Sequence, residues 1–214
     1  MLREDNTRRG FFAPDQFAAV RSHLPSPLQP VASFAYLTGW RVKSEILPLE
    51  WRQIDWSGRF VRLDPGTTKN GEGRSFPFTV ALEALLKEQL ADHERLKKED
   101  RIVPQVFHRD GARIRDFRAA WTTACRKAGC PGRLPHDFRR TAVRNLEKAG
   151  VPRSAAMTMV GHKTEAIYRR YAIVDAGLLR DAASNLDRAV NSPTGTLSGT
   201  TTTLPVETAT TRSA

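Results

Sequence analysis

Cysteine is scarce in this chain of 214 residues, which contains only Cys125 and Cys130. Two cysteines are too few for a disulfide scaffold or a four-ligand zinc site, and they fit a reduced compartment. The sequence also lacks a run of about 18 apolar residues, so no membrane span is expected. The N-terminal stretch MLREDNTRRGFF has no apolar core of signal-peptide length. These absences predict a cytoplasmic protein.

Acidic residues are outnumbered by basic ones. The 34 lysines and arginines against 23 aspartates and glutamates give a formal net charge of +11. Residues 191–214 contain one acid, Glu207, and one base, Arg212, so the whole excess lies in residues 1–190. A basic domain favours a polyanionic partner, of which nucleic acid is the first candidate and an anionic membrane surface the second.

Hydrophobic periodicity predicts an α+β domain that is mainly helical. Apolar residues recur at helical spacing before residue 50 and again from residue 79 onward, including a helix from Ile114 to Ala128. Between residues 51 and 78, short alternating runs separated by Ser-Gly and Asn-Gly turns predict a three-stranded antiparallel sheet. We interpret residues 1–12 as an arm or linker, and the Thr-, Ser- and Pro-rich residues 191–214 as a disordered tail.

Residues 136–171 concentrate groups that bind phosphate and move protons. His136 and Arg139 are three residues apart, so one helix would present both on one face. Gly161-His162 follows, and Tyr171 comes nine residues later on a predicted helix from Thr164. Arg41 lies at the junction after a buried helix, where a helix start also attracts phosphate. Lys69 lies on the second predicted hairpin.

Together these residue types suit phosphoryl transfer. Two guanidiniums can neutralise phosphate oxygens, and a tyrosine phenol can form a covalent phosphate ester. A lysine can protonate the leaving oxygen, and histidines can assist the nucleophile or bind the phosphate. Because two arginines can do what a magnesium ion does elsewhere, we expect neither a metal nor another cofactor.

Each residue also has a plainer interpretation. Taken alone, Lys69 is a solvated turn lysine, and Lys43 and Lys163 also lie near site residues in the sequence. Tyr168 competes with Tyr171 as nucleophile, and the spacing from His162 favours Tyr171. Arg140, beside Arg139, is interpreted as a contact to a backbone phosphate or as a surface charge.

Four local patterns occur in the order and spacing of the tyrosine recombinase (phage integrase) family. They are TGWRVKSE, the hairpin lysine in TTKNGEGR, HDFRRT, and VGHKTEAIYRRY. Each pattern alone is weak, but all four in order, with a short sheet between the first two, make the chain resemble this family's catalytic domain over roughly residues 10–190. On this resemblance we assign the catalytic domain to residues 13–190.

The resemblance implies roles by position. Arg41 and Arg139 would clamp the scissile phosphate of double-stranded DNA, and Lys69 would protonate the 5′-hydroxyl leaving group. His136 and His162 would bond to the phosphate or assist the nucleophile. Tyr171 would form a 3′-phosphotyrosyl link without metal or ATP. The remaining matched position is Glu45, which would support the site rather than react.

The resemblance further implies site-specific integration or excision of a mobile element by a homo-oligomer, a tetramer on DNA. Members of the family usually carry an N-terminal DNA-binding domain, for which only about a dozen residues are available here, so we expect a fragment, a truncated reading frame or a minimal member. Two alternatives stay open. One is a type IB topoisomerase-like activity, and the other is a DNA-binding or regulatory module without catalysis.

Overall fold

The computed structural model describes residues 10–66, 71–172 and 176–191 of the chain. The predicted hairpin position of Lys69, most of the predicted arm and nearly all of the predicted tail lie outside the described residues. No helix of the described segments is both long enough and apolar enough to cross a membrane.

The described chain is mainly helical, as the sequence predicts. Its helices are α1 (Pro14–Ser22), α2 (Gln29–Thr38), α3 (Val80–Lys98), α4 (Arg118–Lys127), α5 (Asp137–Lys148), α6 (Arg153–Val160), α7 (Glu165–Arg169) and α8 (Ala176–Asn191). Short 3₁₀ turns occupy Ser26–Leu28 and Trp51–Gln53, and a π-helical turn occupies Val42–Ile46.

The predicted three-stranded antiparallel sheet is confirmed. It consists of β1 (Ile54–Asp55), β2 (Phe60–Leu63) and β3 (Arg74–Pro77), in the order β1-β2-β3. Val61 pairs with both Ile54 and Phe76, so the buried residues of the three strands share one face. This face packs against the helical core, which brings β3 next to α6.

The helix predicted from Ile114 starts only at Arg118, where α4 begins. Before it lies a two-stranded hairpin that was not predicted, made of β4 (His108–Arg109) and β5 (Ala112–Arg113). Asp110 and Gly111 both have positive φ, as a two-residue Asp-Gly hairpin turn requires. Ile114 and Phe117 are buried like Trp121, but they precede the helix. Their helical spacing therefore reflects burial on one side of the fold and not helical structure.

The core consists of aromatic and branched side chains gathered around α2 and α5, which contact each other extensively. Phe12 reaches this core from the segment before α1: its ring packs against Trp121 and Phe138, and its backbone N–H donates to the hydroxyl of Thr141 at 2.9 Å. The segment before α1 is thereby fixed to α5, and two of the predicted site residues, His136 and Arg139, lie at the start of this helix.

Candidate active site

Three structural elements bring the predicted site residues together. His136 caps α5 and Arg139 lies in its first turn, Arg41 precedes the π-helical turn after α2, and His162 follows α6. Tyr171 comes just after α7, which ends two residues earlier than predicted. Lys69 belongs to the loop between Gly66 and Gly71, whose ends are joined by a backbone hydrogen bond of 2.9 Å, but it lies outside the described residues.

Tyr171 and His136 are in hydrogen-bonding contact. The phenolic oxygen lies 2.9 Å from Nε2 of His136. Burial of the His136 ring lowers its pKa, and the neighbouring charges of Arg139, Arg41 and Arg140 lower it further. His136 is therefore neutral at pH 7, and its Nε2 can accept the phenolic proton. Hydrogen-bond contact with a neutral imidazole is the geometry expected of a nucleophile and its general base.

Arg139 follows His136 on α5 and forms a hydrogen bond with His162. It is almost fully buried, at 2% exposure. Its Nε donates to Nε2 of His162 at 2.8 Å, while its two Nη atoms donate to the carbonyls of Gly39 and Gly161, each at 3.1 Å. Since a guanidinium has five N–H groups, two remain to bind another acceptor. Burial and the charge of Arg41 lower the pKa of Arg139 to about 10, which leaves it charged at pH 7.

His162 is the second ring in contact with the phenol. It stacks on Tyr171 with ring centroids 4.6 Å apart and planes at 26°. Because its Nε2 accepts from Arg139, the proton of the neutral ring is assigned to Nδ1. Nδ1 is buried and has no hydrogen-bond partner within the described part of the chain. Burial, followed by the charges of Arg139 and Arg41, lowers the pKa of His162 to about 3.

Glu45 lies between two arginines and is fully buried. Its carboxylate accepts from the backbone N–H of Arg41 at 2.7 Å and from the Arg41 guanidinium at 2.6 Å. Nη2 of Arg74 donates to the same carboxylate at 2.5 Å. Removing one partner of such a buried pair typically costs about 3–5 kcal/mol, because the other charge is left uncompensated.

Arg74 is a residue that the sequence analysis missed. It projects from β3 on the buried face shared with Phe76, and Nη1 donates to the carbonyl of Val160 at 2.7 Å. A Cβ on Gly161 would come 2.2 Å from this guanidinium, so only glycine permits the approach. The two-residue alternation of Arg74 with Phe76 was the available signal, because it places the arginine on the strand's inner face.

Arg140 is the second residue whose position differs from the prediction. It is 8% exposed, so its interpretation as a surface charge is wrong. Its guanidinium carbon lies 5.7 Å from the centre of the Tyr171 ring, and that of Arg139 lies 5.8 Å from it. The phenol ring thus has two cationic groups near it.

Tyr168 is excluded from this cluster by burial. It is 0% exposed and packs with Ala142, Val143, Ala156 and Val160. Burial and the neighbouring carboxylate of Glu147 raise the pKa of its phenol well above the usual value, which disfavours the phenolate. Both tyrosines contact the ring of His162, Tyr168 edge-on with centroids 5.6 Å apart. Of the two, only Tyr171 is also in hydrogen-bonding contact with His136 and close to Arg139 and Arg140.

Positive charge dominates the site. Among the described residues, four arginines converge here against two buried carboxylates, those of Glu45 and Asp137. A cavity of about 500 Å³ opens beside them, lined on its polar side by Arg41, His136 and Arg139. Buried charge without a counterion is unfavourable, so this arrangement favours an anion of phosphate type.

The likeness to known proteins agrees with this chemistry. The model of the phage integrase family matches residues 13–177. The integrase of Salmonella phage P22 is 29% identical over 187 residues, which cover 85% of this chain and 48% of that protein. The chain therefore spans about half the length of this curated relative.

Three solved structures have a similar fold. XerA recombinase superposes with a TM-score of 0.65 at 17% identity, over 82% of this chain and 65% of that one. The Tn1549 transposon integrase in complex with circular intermediate DNA superposes with a TM-score of 0.63 at 17% identity, over 85% of this chain and 67% of that one. A lambda integrase dimer bound to a COC′ core site superposes with a TM-score of 0.61 at 17% identity, over 79% of this chain and 64% of that one.

Proposed function

Because the chain belongs to the phage integrase family, the tyrosine recombinases, we propose that it cleaves and rejoins double-stranded DNA at specific sites through a covalent 3′-phosphotyrosyl intermediate. The observation that carries the proposal is the phenol of Tyr171, held 2.9 Å from a neutral histidine and beside an excess of buried arginines. A nucleophile, a base and an anion site are thereby in one place.

The cleavage step balances with these groups. The phenolic oxygen of Tyr171 attacks the scissile phosphorus, and its proton passes to Nε2 of His136. The bond from phosphorus to the 5′-oxygen breaks, and Lys69 gives that oxygen a proton. Arg41 and Arg139 stabilise the charge that develops on the non-bridging oxygens, which is usually the largest contribution to such a reaction. The phosphotyrosyl ester retains the bond energy, so a 5′-hydroxyl can reseal the strand without ATP.

Three residues support the reactive groups rather than react. Glu45 fixes the Arg41 guanidinium through its bond of 2.6 Å, and Arg74 holds the same carboxylate from the sheet side. His162 fixes Arg139 through its Nε atom and stacks on the nucleophile. The family's metal-independent chemistry is proposed for this chain on the same basis, since the arginines supply the positive charge.

The DNA substrate and the assembly on it are also proposed. Solved relatives with the same fold include a transposon integrase and a lambda integrase dimer, both in complex with DNA. We infer that this chain acts on double-stranded DNA as a homo-oligomer, for integration or excision of a mobile element.

A DNA-binding or regulatory role without catalysis is the second candidate. It is favoured by the net charge of +11, which suits a polyanion whether or not a strand is cut. The contact of Tyr171 with His136, beside Arg139 and Arg140, supports catalysis instead.

The test is capture of the covalent intermediate. The protein is incubated with a pool of nicked duplexes that carry a randomised central sequence, and adducts that survive denaturation are isolated and sequenced. We expect adducts enriched in one family of sequences. Sequence-selective binding without any adduct would favour the second candidate, and absence of both would contradict a recombinase.

A further inference from the structure

Arg140 is a buried cation, at 8% exposure. Its Nε and Nη1 are inaccessible to solvent and have no hydrogen-bond partner among the residues described. The nearest acid is Asp137, whose Oδ1 lies 3.6 Å from Nη1, an ion pair but too long for a hydrogen bond. An arginine buried without hydrogen bonds costs stability, so its position requires an explanation.

The helix geometry directs Arg140 at the nucleophile. Arg140 follows His136 by four residues on α5, and such residues lie on one face. Both side chains reach Tyr171: His136 through the hydroxyl at 2.9 Å, and Arg140 over the ring at 5.7 Å. Arg139, three residues after His136, completes the same face.

We propose that Arg140 is a positioning residue for the cleavage step, which holds the ring of Tyr171 by a cation–π contact and places a positive charge on the helix face that carries His136. That charge opposes protonation of the His136 ring, which leaves the ring able to accept the phenolic proton. This inference rests on the proposed function of Tyr171 and His136. It explains why a buried guanidinium is left without hydrogen bonds, because its electrostatic contribution depends on its charge and proximity.

The effect of Arg140 on the pKa of His136 depends on the other charged groups that face this ring. On its own helix these are Arg139, Arg140 and Asp137, of which only Asp137 favours the protonated ring. Arg41, which is paired with Glu45, faces the ring from the segment after α2. His162 and Tyr171, which are both neutral, face it from the C-terminal part of the chain. Loss of Arg140 leaves Arg41 and Arg139 in place, so the effect is partial.

The first test measures the titration of His136 directly. Its ring signals are followed by NMR from pH 4 to pH 8, and they are assigned with His136→Asn. Removing a positive charge makes protonation easier, so Arg140→Gln and Arg140→Met should raise the titration midpoint by about one pH unit. Arg140→Lys keeps the charge and should leave the midpoint near that of the wild type.

The second test measures cleavage. Adduct formation is followed in single turnover on a duplex selected from the nicked pool, over the same pH range. His136 must be neutral to accept the proton, so the rate falls as pH drops through its pKa. This acid limb should move to higher pH in Arg140→Gln, and Arg140→Lys should restore it. Arg126→Gln, which removes one exposed charge from α4, is the matched control and should leave the limb unchanged.

The outcomes separate this inference from the proposed function. An unchanged midpoint in the charge-free variants, or an equal shift in Arg140→Lys, would overturn the role of Arg140. Failure of the wild type to form an adduct would contradict the proposed function, while the NMR titration would still decide whether Arg140 controls His136. Thermal unfolding of each variant verifies that the fold is kept.

Discussion

Tyr168 and Tyr171 are three residues apart, but they face two different regions of the molecule. Tyr168 lies in an apolar cluster between α5, α6 and α7, with Glu147 and Arg153 as its charged neighbours. Tyr171 lies half-buried against His136, Arg139, Arg140 and His162. The first environment opposes ionisation of a phenol, and the second combines a base with positive charge.

The comparison shows that one short segment carries both a buried ring and the proposed nucleophile. α7 ends at Arg169, and in the tight turn that follows the N–H of Tyr171 donates to the carbonyl of Tyr168 at 2.8 Å. The buried ring of Tyr168 thus anchors the backbone from which Tyr171 projects. A rigid support of this kind keeps a reactive group within the small tolerances that catalysis requires.

The largest expected difference between the two tyrosines is in covalent chemistry. Tyr171→Phe keeps the ring but removes the nucleophilic oxygen, so adduct formation should fall by several orders of magnitude. Tyr168→Phe should react at close to the wild-type rate, because that hydroxyl faces away from the site. Denaturing gels after incubation with the nicked duplex measure both. Reactivity lost in Tyr168→Phe and kept in Tyr171→Phe would reverse the assignment.

The second expected effect concerns the base that distinguishes the region around Tyr171. His136→Gln should lower the cleavage rate roughly 10²–10⁴-fold, as loss of a general base does. In the wild type the lowered pKa of His136 means that it stays neutral below the usual midpoint of about 6.5. Single-turnover rates should therefore persist below about pH 6.5 and fall only at lower pH. A rate insensitive to His136→Gln would remove this histidine from the mechanism.

The third prediction compares the two rings as structural elements. Tyr168→Ala should destabilise the fold by about 3–5 kcal/mol, because it leaves a cavity in an apolar cluster. Tyr171→Ala should cost about 1 kcal/mol, because the ring is partly open to solvent. Urea unfolding of both variants measures the difference. Equal losses of stability would show that the two rings contribute equally to the folded state, which would contradict this prediction.

The smallest expected effect is the pH dependence that Glu147 confers beside Tyr168. Burial raises the pKa of this carboxyl, so the folded state holds the proton more tightly than the unfolded state. Its contribution to stability is therefore lost as pH rises above the usual value of about 4.3. The free energy of unfolding of Glu147→Gln, relative to that of the wild type, should therefore be higher at pH 7 than at pH 4 by up to about 1 kcal/mol.

Urea unfolding at the two pH values checks this prediction, with Glu88→Gln, an exposed position on α3, as the control. The control should show no such gain. A wild-type stability that rises relative to Glu147→Gln between pH 4 and pH 7 would contradict the raised pKa.

The sequence predicted the fold class well. Helical and alternating periodicity identified the mainly helical fold and the three-stranded sheet, and the short motifs named several residues that the structure brings together around Tyr171. These features depend on residues close together in the chain. The β4–β5 hairpin was missed although Asp110-Gly111 is a turn signal, because its strands are only two residues long and show no alternating run.

The partners of Arg74 and the burial of Arg140 could not be predicted by the same means. Arg74 reaches Val160, 86 residues away, and its partner Glu45 is 29 residues away in the other direction. The guanidinium of Arg140 lies 5.7 Å from the ring of Tyr171, which comes much later in the chain. Such contacts arise from the tertiary fold: the alternation of Arg74 with Phe76 indicates an inner-face position but not its partners, and no comparable pattern marks Arg140.

The most direct test of the central claim is to locate the DNA on the protein. The adduct trapped on a nicked duplex is digested with nuclease and protease, and the peptide that carries the residual nucleotide is sequenced by mass spectrometry. The account predicts a 3′-phosphonucleotide on Tyr171 and an unmodified Tyr168 in the same peptide. A nucleotide on Tyr168, or on any other residue, would contradict it.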